Sequence, residues 1–158
     1  MKLTTKGRYA VMAMADLAAN SEGRPVSLAD IAERQQISLS YLEQLFGKLR
    51  KCGIVRSVRG PGGGYRLSRV AEETRIADIV LAVDEPIKAT RCRPGSSKGC
   101  QSSQGRCLTH DLWEELGNQI HHYLSSVSLA DVVARRVLST GRATSFAADG
   151  AERPMAQL

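Results

Sequence analysis

The sequence lacks long hydrophobic runs and lacks any set of residues typical of an active site. No segment approaches the roughly 18 apolar residues of a membrane-spanning helix. The apolar stretch near the start is interrupted by Asp16 and has no typical cleavage site, so no secretory signal is expected. The sequence shows no nucleophile–base pair, no paired carboxylates and no cofactor fingerprint. These absences predict a cytoplasmic protein that is neither an enzyme nor bound to a membrane.

Cysteine is also scarce, but three of the four cysteines lie in one short segment, CRPGSSKGCQSSQGRCLTH, between Cys92 and His110. This segment contains almost nothing apolar, so packing alone is not expected to order it, whereas a bound metal centre would. Because thiols stay reduced in the cytosol, clustered cysteines favour metal or redox chemistry over structural disulfides. The segment is therefore the candidate regulatory site of the chain.

The residues alone leave three interpretations of this segment open. The first is an iron–sulfur cluster, which needs thiolates, and basic neighbours such as Arg91 and Arg106 favour the ionised form of the cysteines. The second is a structural zinc ion, which accepts the same donors, although zinc sites usually contain a tight C-x2–4-C pair that this sequence lacks. The third is a thiol switch in which two of the cysteines form a disulfide.

Acidic residues are few in the first half of the chain. Residues 1–70 contain 12 Lys and Arg against 5 Asp and Glu, whereas residues 71–158 contain 10 against 11, so the net charge of +6 comes from the first half. A basic N-terminal domain suits a polyanion such as double-stranded DNA. The alternative is an ordinary solvated basic face.

The N-terminal part predicts three helices, over residues 4–19, 27–35 and 38–51. Ser27 begins a capping-box-like start, and two short helices joined by a tight polar turn are typical of a helix-turn-helix. The third helix has an apolar stripe at positions i, i+3, i+4 and i+7, formed by Leu42, Leu45, Phe46 and Leu49. Its other side predicts a DNA-contacting face made of Ser38, Ser40, Tyr41, Glu43, Gln44 and Lys48.

Two short strands around a Gly-rich turn follow, over residues 54–59 and 65–67, and predict the wing of a winged helix. Arg59 at the base of the turn is expected to enter the minor groove, and Gly60 and Pro61 are expected to approach the DNA backbone. A nucleotide-binding loop is not expected, because no Gly-Lys-Ser/Thr follows the glycines.

The rest of the chain predicts a helix over residues 72–83, a long helix over 109–127 and a short one from Ser128 to Leu138. The long helix has one apolar stripe that suggests pairing with a second subunit, and packing on its own domain is the alternative. The predicted dimerisation residues are Leu112, Trp113, Leu116, Ile120 and Leu124. The expected fold class is mainly α, a winged helix-turn-helix with a two-stranded wing and a long C-terminal dimerisation helix. The expected domains are a winged-helix domain (1–86), a metal-binding loop (87–108), the dimerisation and terminal helices (109–138) and a disordered tail (139–158).

With these motifs identified, the sequence resembles the IscR/NsrR/RirA group of winged-helix transcription regulators. The matching segments are MKLTTKGRYAVMAM, SLADIAERQQISLSYLEQLF, VRSVRGPGGGY, AVDE, ATRC and CLTH, and the last of these resembles the IscR type rather than the other members of the group. The resemblance covers roughly residues 1–135.

The resemblance implies a homodimer that binds a palindromic operator, controls iron–sulfur assembly genes and holds one 2Fe–2S cluster per subunit. The implied ligands are Cys92, Cys100, Cys107 and His110. The implied DNA-reading positions are Ser40, Glu43 and Gln44, with Arg59 in the wing. Glu43 stands at the position by which the family distinguishes sites read only by the cluster-bound form from sites read by both forms. One departure is that the cysteine gaps, seven and six residues, are longer than those of the family.

Overall fold

The computed structural model describes residues 4–87, 89, 100 and 105–137. This part of the chain is mainly helical and includes a two-stranded antiparallel sheet, as the sequence predicts. The elements in chain order are α1 (Thr5–Asn20), α2 (Leu28–Gln35), α3 (Leu39–Lys51), β1 (Val55–Val58), β2 (Gly64–Leu67), α4 (Ile76–Ala82), α5 (His110–Ser126) and α6 (Leu129–Val133). None of the helices in these residues combines the length and the apolar character needed to cross a bilayer.

Local capping fixes the first two helices. The Thr4 hydroxyl accepts a hydrogen bond from the Lys6 amide at 3.3 Å, and the Ser27 hydroxyl accepts one from the Asp30 amide at 3.1 Å. Each bond satisfies an amide that the helix itself leaves without a partner. At the other end of α2, Gln36 adopts a left-handed conformation (φ 54°), which ends the helix and starts the turn into α3.

The apolar stripe of α3 forms the centre of the core. Leu42, Leu45, Phe46 and Leu49 are all at most 1% exposed, so the predicted division of this helix into an inner and an outer face is confirmed. Complete burial of each such side chain stabilises the fold by about 1.5–3 kcal/mol. The Phe46 ring meets the Tyr65 ring edge-on, with centroids 5.0 Å apart, and this contact joins α3 to the wing.

The predicted wing is a hairpin in which Val55 pairs with Leu67 and Val58 with Gly64. Strand β2 is also attached to the segment before α2, because Val26 and Tyr65 exchange backbone hydrogen bonds of 3.0 and 2.8 Å. Gly64 adopts a positive φ of 156°, and a Cβ atom there would collide with the Val26 carbonyl. The close approach at this point therefore requires glycine.

Helix α4 is shorter than the predicted span of residues 72–83. The predicted first turn is not helical, because residues 71–73 form a tight turn and Arg75 is extended and forms an antiparallel bridge with Ser128. Two further backbone bonds support this bridge, from the Ile76 amide to the Val127 carbonyl (3.1 Å) and from the Leu129 amide to the Thr74 carbonyl (2.8 Å). The backbone groups of Thr74 and Ile76 that another helical turn would have paired within α4 are thus bonded to the segment between α5 and α6.

Helix α5 has nearly the predicted bounds, whereas α6 does not reach Leu138. Ser128 and Asp131 form a full capping box at the start of α6. Two residues after its end, Arg135 has a left-handed φ of 54°, so the chain leaves the helix there. Helix α6 packs against α1. Leu138 and the predicted tail, residues 139–158, lie outside the described residues.

Candidate functional site

Helix α3 presents an exposed polar face opposite its buried stripe. Ser38, Ser40, Glu43 and Gln44 are exposed, and α3 ends in three basic residues, Lys48, Arg50 and Lys51. The Ser38 hydroxyl does not cap the helix but lies 2.9 Å from the Ser40 hydroxyl. This face offers hydroxyl, carboxylate and amide groups, which are the groups that read base edges in a major groove.

Two other residues of the predicted DNA-contacting face lie at its edge and have partners within the protein. The Tyr41 ring is half-buried and meets the Tyr9 ring of α1 edge-on, with centroids 6.1 Å apart. The Lys48 ammonium donates a hydrogen bond to the Asp84 carboxylate at 2.6 Å. Both side chains therefore connect α3 to neighbouring elements.

The turn of the wing is exposed. Arg59, Gly60 and Pro61 all face solvent at its tip. The turn is closed by a hydrogen bond from the Gly63 amide to the Gly60 carbonyl at 2.9 Å, and Gly60 has a positive φ of 104°. An exposed arginine on a tight, side-chain-poor turn is suited to enter a narrow groove.

Cys100 and His110 come together at the start of α5. The Cys100 sulfur lies 3.0 Å from His110 Nδ1, although ten residues separate them in the sequence. The His110 amide donates to the Cys107 carbonyl at 3.0 Å, and the Cys107 sulfur lies 3.6 Å from the Thr109 hydroxyl. The Cys100 thiol and the buried His110 imidazole are donors that an iron–sulfur cluster or zinc accepts, but the donor atoms of Cys100, Cys107 and His110 do not all lie within 4.8 Å of one another. The fourth predicted ligand, Cys92, lies outside the described residues.

The opposite side of the His110 ring faces carboxylates. His110 Nε2 lies 3.7 Å from a Glu114 oxygen, and Asp111 contributes a third donor atom to the same group. The Arg106 guanidinium contacts both carboxylates, at 3.5 Å and 3.7 Å, and offsets their charge. A separate cation is therefore not favoured on this side, and the sulfur-facing side remains the candidate metal centre.

The predicted dimerisation face of α5 is apolar and largely uncovered within one chain. Leu112 is 62% exposed, Trp113 44% and Leu116 38%, while Ile120 and Leu124 are half-buried. A contiguous apolar face of this kind marks an interaction surface in soluble proteins.

Two buried carboxylates with structural roles were missed by the sequence analysis. Glu85 caps the start of α1 by accepting hydrogen bonds from Thr4 and from the Gly7 amide (2.6 Å). Asp16 accepts from Arg34 at 2.6 Å and from Gln35 at 2.7 Å. Burial raises the pKa of Asp16, but the hydrogen bonds from Arg34 and Gln35 and the Arg34 charge outweigh it and lower that pKa overall. No local pattern signals either contact, because the partners lie far apart in the sequence.

The exposed polar helix, the two-stranded wing and the helices around them define a winged-helix DNA-binding protein. The family described as "Rrf2: Iron-dependent Transcriptional regulator" matches residues 3–135. The chain therefore belongs to the Rrf2 family, and it is a DNA-binding transcription regulator rather than an enzyme.

Individual relatives agree with this assignment. The chain is 58% identical over 133 residues to the HTH-type transcriptional regulator IscR of Photorhabdus laumondii, covering 84% of this chain and 79% of that protein. Among solved structures it resembles T. potens IscR (TM-score 0.69, 36% identity, 90% and 93% covered). It also resembles CymR, the global cysteine regulator of B. subtilis (TM-score 0.70, 30% identity, 85% and 98% covered). The predicted resemblance and fold class are thereby confirmed.

Proposed function

We propose that this regulator is a cytoplasmic homodimer that senses iron–sulfur cluster status through a 2Fe–2S cluster and controls iron–sulfur assembly genes. The observation that carries the proposal is the 3.0 Å approach of the Cys100 sulfur to His110 Nδ1 at the start of α5. It unites a thiol and an imidazole from the one segment of the chain that is rich in cysteine.

Cys92, Cys100 and Cys107, as thiolates, and His110, as neutral imidazole, would hold the cluster. Bound there, it would supply an iron–sulfide centre whose presence follows cellular supply. His110 would bind through Nδ1, the nitrogen that faces Cys100. A neutral imidazole in place of one thiolate leaves the site less negative and is released by protonation, both of which suit reversible loading.

The recognition helix α3 and the wing would contact DNA together. Ser40, Glu43 and Gln44 occupy the exposed face that would meet base edges in the major groove. Arg59 would enter the neighbouring minor groove, with Gly60 and Pro61 against the sugar–phosphate backbone. Ser38 and Tyr41, at the start and the edge of the face, would contact the backbone. Lys48, at the margin of the same face, is hydrogen-bonded to Asp84 and would reach a backbone phosphate when released from it.

The apolar face of α5 would pair two subunits. Leu112, Trp113 and Leu116 are exposed in one chain and would be buried against a second copy, with Ile120 and Leu124 beside them. A palindromic operator requires two recognition helices separated by about 34 Å, one turn of DNA. The dimer helix therefore sets the spacing on which operator binding depends.

The structure offers a continuous path from the cysteine segment to the DNA-binding face. His110 is the first residue of α5, and the end of α5 is joined to α4 through the backbone bonds of Val127 and Ser128. Helix α4 packs against α1 and α3. A change at His110 would thus act on the elements that hold the recognition helix.

Operator binding by the cluster-loaded and the cluster-free protein tests the proposal. Gel shifts with DNA from the promoters of iron–sulfur assembly genes are expected to show at least one operator that is bound differently by the two forms. Sites lacking a base-pair donor for the Glu43 carboxylate should depend most on loading. Equal binding of every operator by both forms would contradict cluster sensing. Full activity of a zinc-loaded or disulfide-bonded protein would instead favour a zinc-stabilised repressor or a thiol switch.

A further inference from the structure

A carboxylate from outside α3 lies against the recognition helix at the edge of its DNA-contacting face. The Asp84 carboxylate accepts a hydrogen bond from the Lys48 ammonium at 2.6 Å, with the Asp84 side chain 73% exposed and the Lys48 side chain 36% exposed. Asp84 follows α4 in the sequence and lies 36 positions from Lys48, so the contact depends on the tertiary fold. An exposed ion pair of this kind contributes little to stability.

The backbone around Asp84 is held in place by its neighbour. Glu85 is buried and accepts hydrogen bonds from Thr4 and from the Gly7 amide at the start of α1. Asp84 itself has a left-handed φ of 59°, a conformation that aspartate and asparagine tolerate better than most residues. The carboxylate is therefore presented from an anchored segment, next to the N-terminal end of α1.

Lys48 is the basic partner of this carboxylate. The hydrogen bond from Lys48 and then its charge lower the pKa of Asp84, burial opposes them, and the charges of Lys6 and Lys51 lower the pKa by smaller amounts. Lys6 belongs to the first turn of α1, and Lys48 and Lys51 belong to the last turn of α3. The Asp84 carboxylate thus neutralises the Lys48 ammonium group at the C-terminal end of α3.

The position of Lys48 on α3 shows which anion competes with Asp84. Lys48 follows Gln44 by one helical turn and Ser40 by two, so it lies on the same side of the helix as the base-reading residues. Side chains at the margin of such a face reach the phosphates that flank the groove. With α3 in a major groove, a backbone phosphate and the Asp84 carboxylate would compete for the same ammonium group.

We propose that Asp84 holds Lys48 away from DNA and thereby withholds one phosphate contact from the complex. This inference rests on the proposed function, in which α3 enters the major groove. Because a phosphate contact carries no sequence information, withholding it lowers the affinity for all sequences about equally. Asp84 is then a residue that limits sequence-independent DNA affinity without touching DNA.

Salt-dependent binding measures this effect without knowledge of the operator. We would measure the affinity of the full-length protein for a mixed-sequence 30-base-pair duplex by fluorescence anisotropy over a range of salt concentrations. The variants are Asp84→Asn, Lys48→Gln and the double variant, with Asp78→Asn as the matched control for loss of an exposed acid elsewhere on the chain. Asparagine preserves the shape and the left-handed backbone at position 84.

Asp84→Asn is expected to steepen the dependence of log K on log salt by about 0.9, the value of one added phosphate contact, and to tighten binding about five- to tenfold near 0.1 M salt. Lys48→Gln alone should change the slope by less than half of this amount, and the double variant should lose the gain. If Asp84→Asn behaves like Asp78→Asn, or if the double variant keeps the gain, the inference is wrong. A wild-type protein that binds no duplex at all would contradict the proposed DNA-binding function itself, and not only the role of Asp84.

Discussion

At the scale of single residues, buried carboxylates hold the helices of the DNA-binding part together. Asp16 joins α1 to α2 through Arg34 and Gln35, and Glu85 joins the end of α4 to the start of α1. Each carboxylate accepts several hydrogen bonds, which is how a buried charge is made tolerable. Neither contact could be predicted from local sequence patterns, because hydrogen bonds between distant segments depend on the packing of the whole fold.

Replacing Asp16 by asparagine is expected to lower the free energy of unfolding by about 1–3 kcal/mol at neutral pH, since charge-assisted hydrogen bonds are lost. Because the folded-state pKa of Asp16 is lowered, its contribution is present above the unfolded value of about 3.9 and is lost as the pH falls below it. Urea unfolding of both proteins at pH 7 and near pH 3 checks this. The exposed Glu33→Gln on α2 serves as the control. If the free energies of unfolding of Asp16→Asn and wild type differ equally at both pH values, the stabilising role given to the ionised Asp16 carboxylate is wrong.

Gly7 allows Glu85 to reach the first turn of α1. A Cβ atom at position 7 would lie 2.6 Å from a Glu85 carboxylate oxygen, whereas a Cβ at Gly47 in α3 would meet nothing within 4 Å. We therefore expect Gly7→Ala to destabilise the protein by about 1–3 kcal/mol. Gly47→Ala should be neutral or stabilising by up to about 1 kcal/mol, because alanine favours helix. Thermal unfolding followed by circular dichroism distinguishes the two, and equal effects would disprove the proposed role of Gly7.

At the scale of elements, the sequence predicted the features that depend on neighbouring residues: the helix starts, the buried side of α3 and the turn of the wing. Thr4 and Ser27 mark helix starts, the Leu42–Leu49 stripe identifies the buried side of α3, and the glycines after Arg59 mark the wing. The ends of α4 and α6 were predicted less well. The Arg75–Ser128 bridge shortens α4, and the left-handed Arg135 follows the end of α6, both set by packing rather than by helix propensity.

The wing offers a test of DNA contact that leaves the core untouched. Arg59→Ala is expected to weaken operator binding about tenfold and to reduce the salt slope by about one, since one arginine contact with the groove is lost. Its melting temperature should remain unchanged, because Arg59 is exposed. Arg69→Ala, another exposed arginine beyond the wing, is the control in the same anisotropy titration. Equal losses in both variants would indicate a general effect of charge and would exclude a specific role for Arg59.

At the scale of the whole molecule, the apolar side of α5 is largely exposed in a single chain. The apolar stripe on this helix was predictable from its period, but one sequence does not say whether the stripe meets its own domain or another chain. In the described residues Leu112, Trp113 and Leu116 remain exposed, which favours the second possibility. For the cysteine segment, the sequence identified the candidate metal-binding residues but not their arrangement. Only the fold shows that Cys100 lies beside His110.

Leu116→Glu is expected to convert a dimer to a monomer, because a charge placed in an apolar interface is not solvated there. Helix content should remain close to wild type, since residue 116 is exposed in a single chain. Asn118→Glu, two residues along on the polar side of α5, adds the same charge away from the stripe and should leave the dimer intact. Sedimentation velocity measures both. A wild-type protein that sediments as a monomer at all concentrations would contradict the proposed dimer.

The central claim is that Cys92, Cys100, Cys107 and His110 hold a 2Fe–2S cluster, and visible absorption of anaerobically purified protein, with iron and sulfide measured on the same sample, tests it most directly. We predict a coloured protein with about two iron and two sulfide ions per chain, because an iron–sulfide centre absorbs visible light and zinc does not. We also predict that Cys100→Ala lacks this colour. A wild-type protein that stays colourless and free of iron after reconstitution with iron and sulfide would contradict the account.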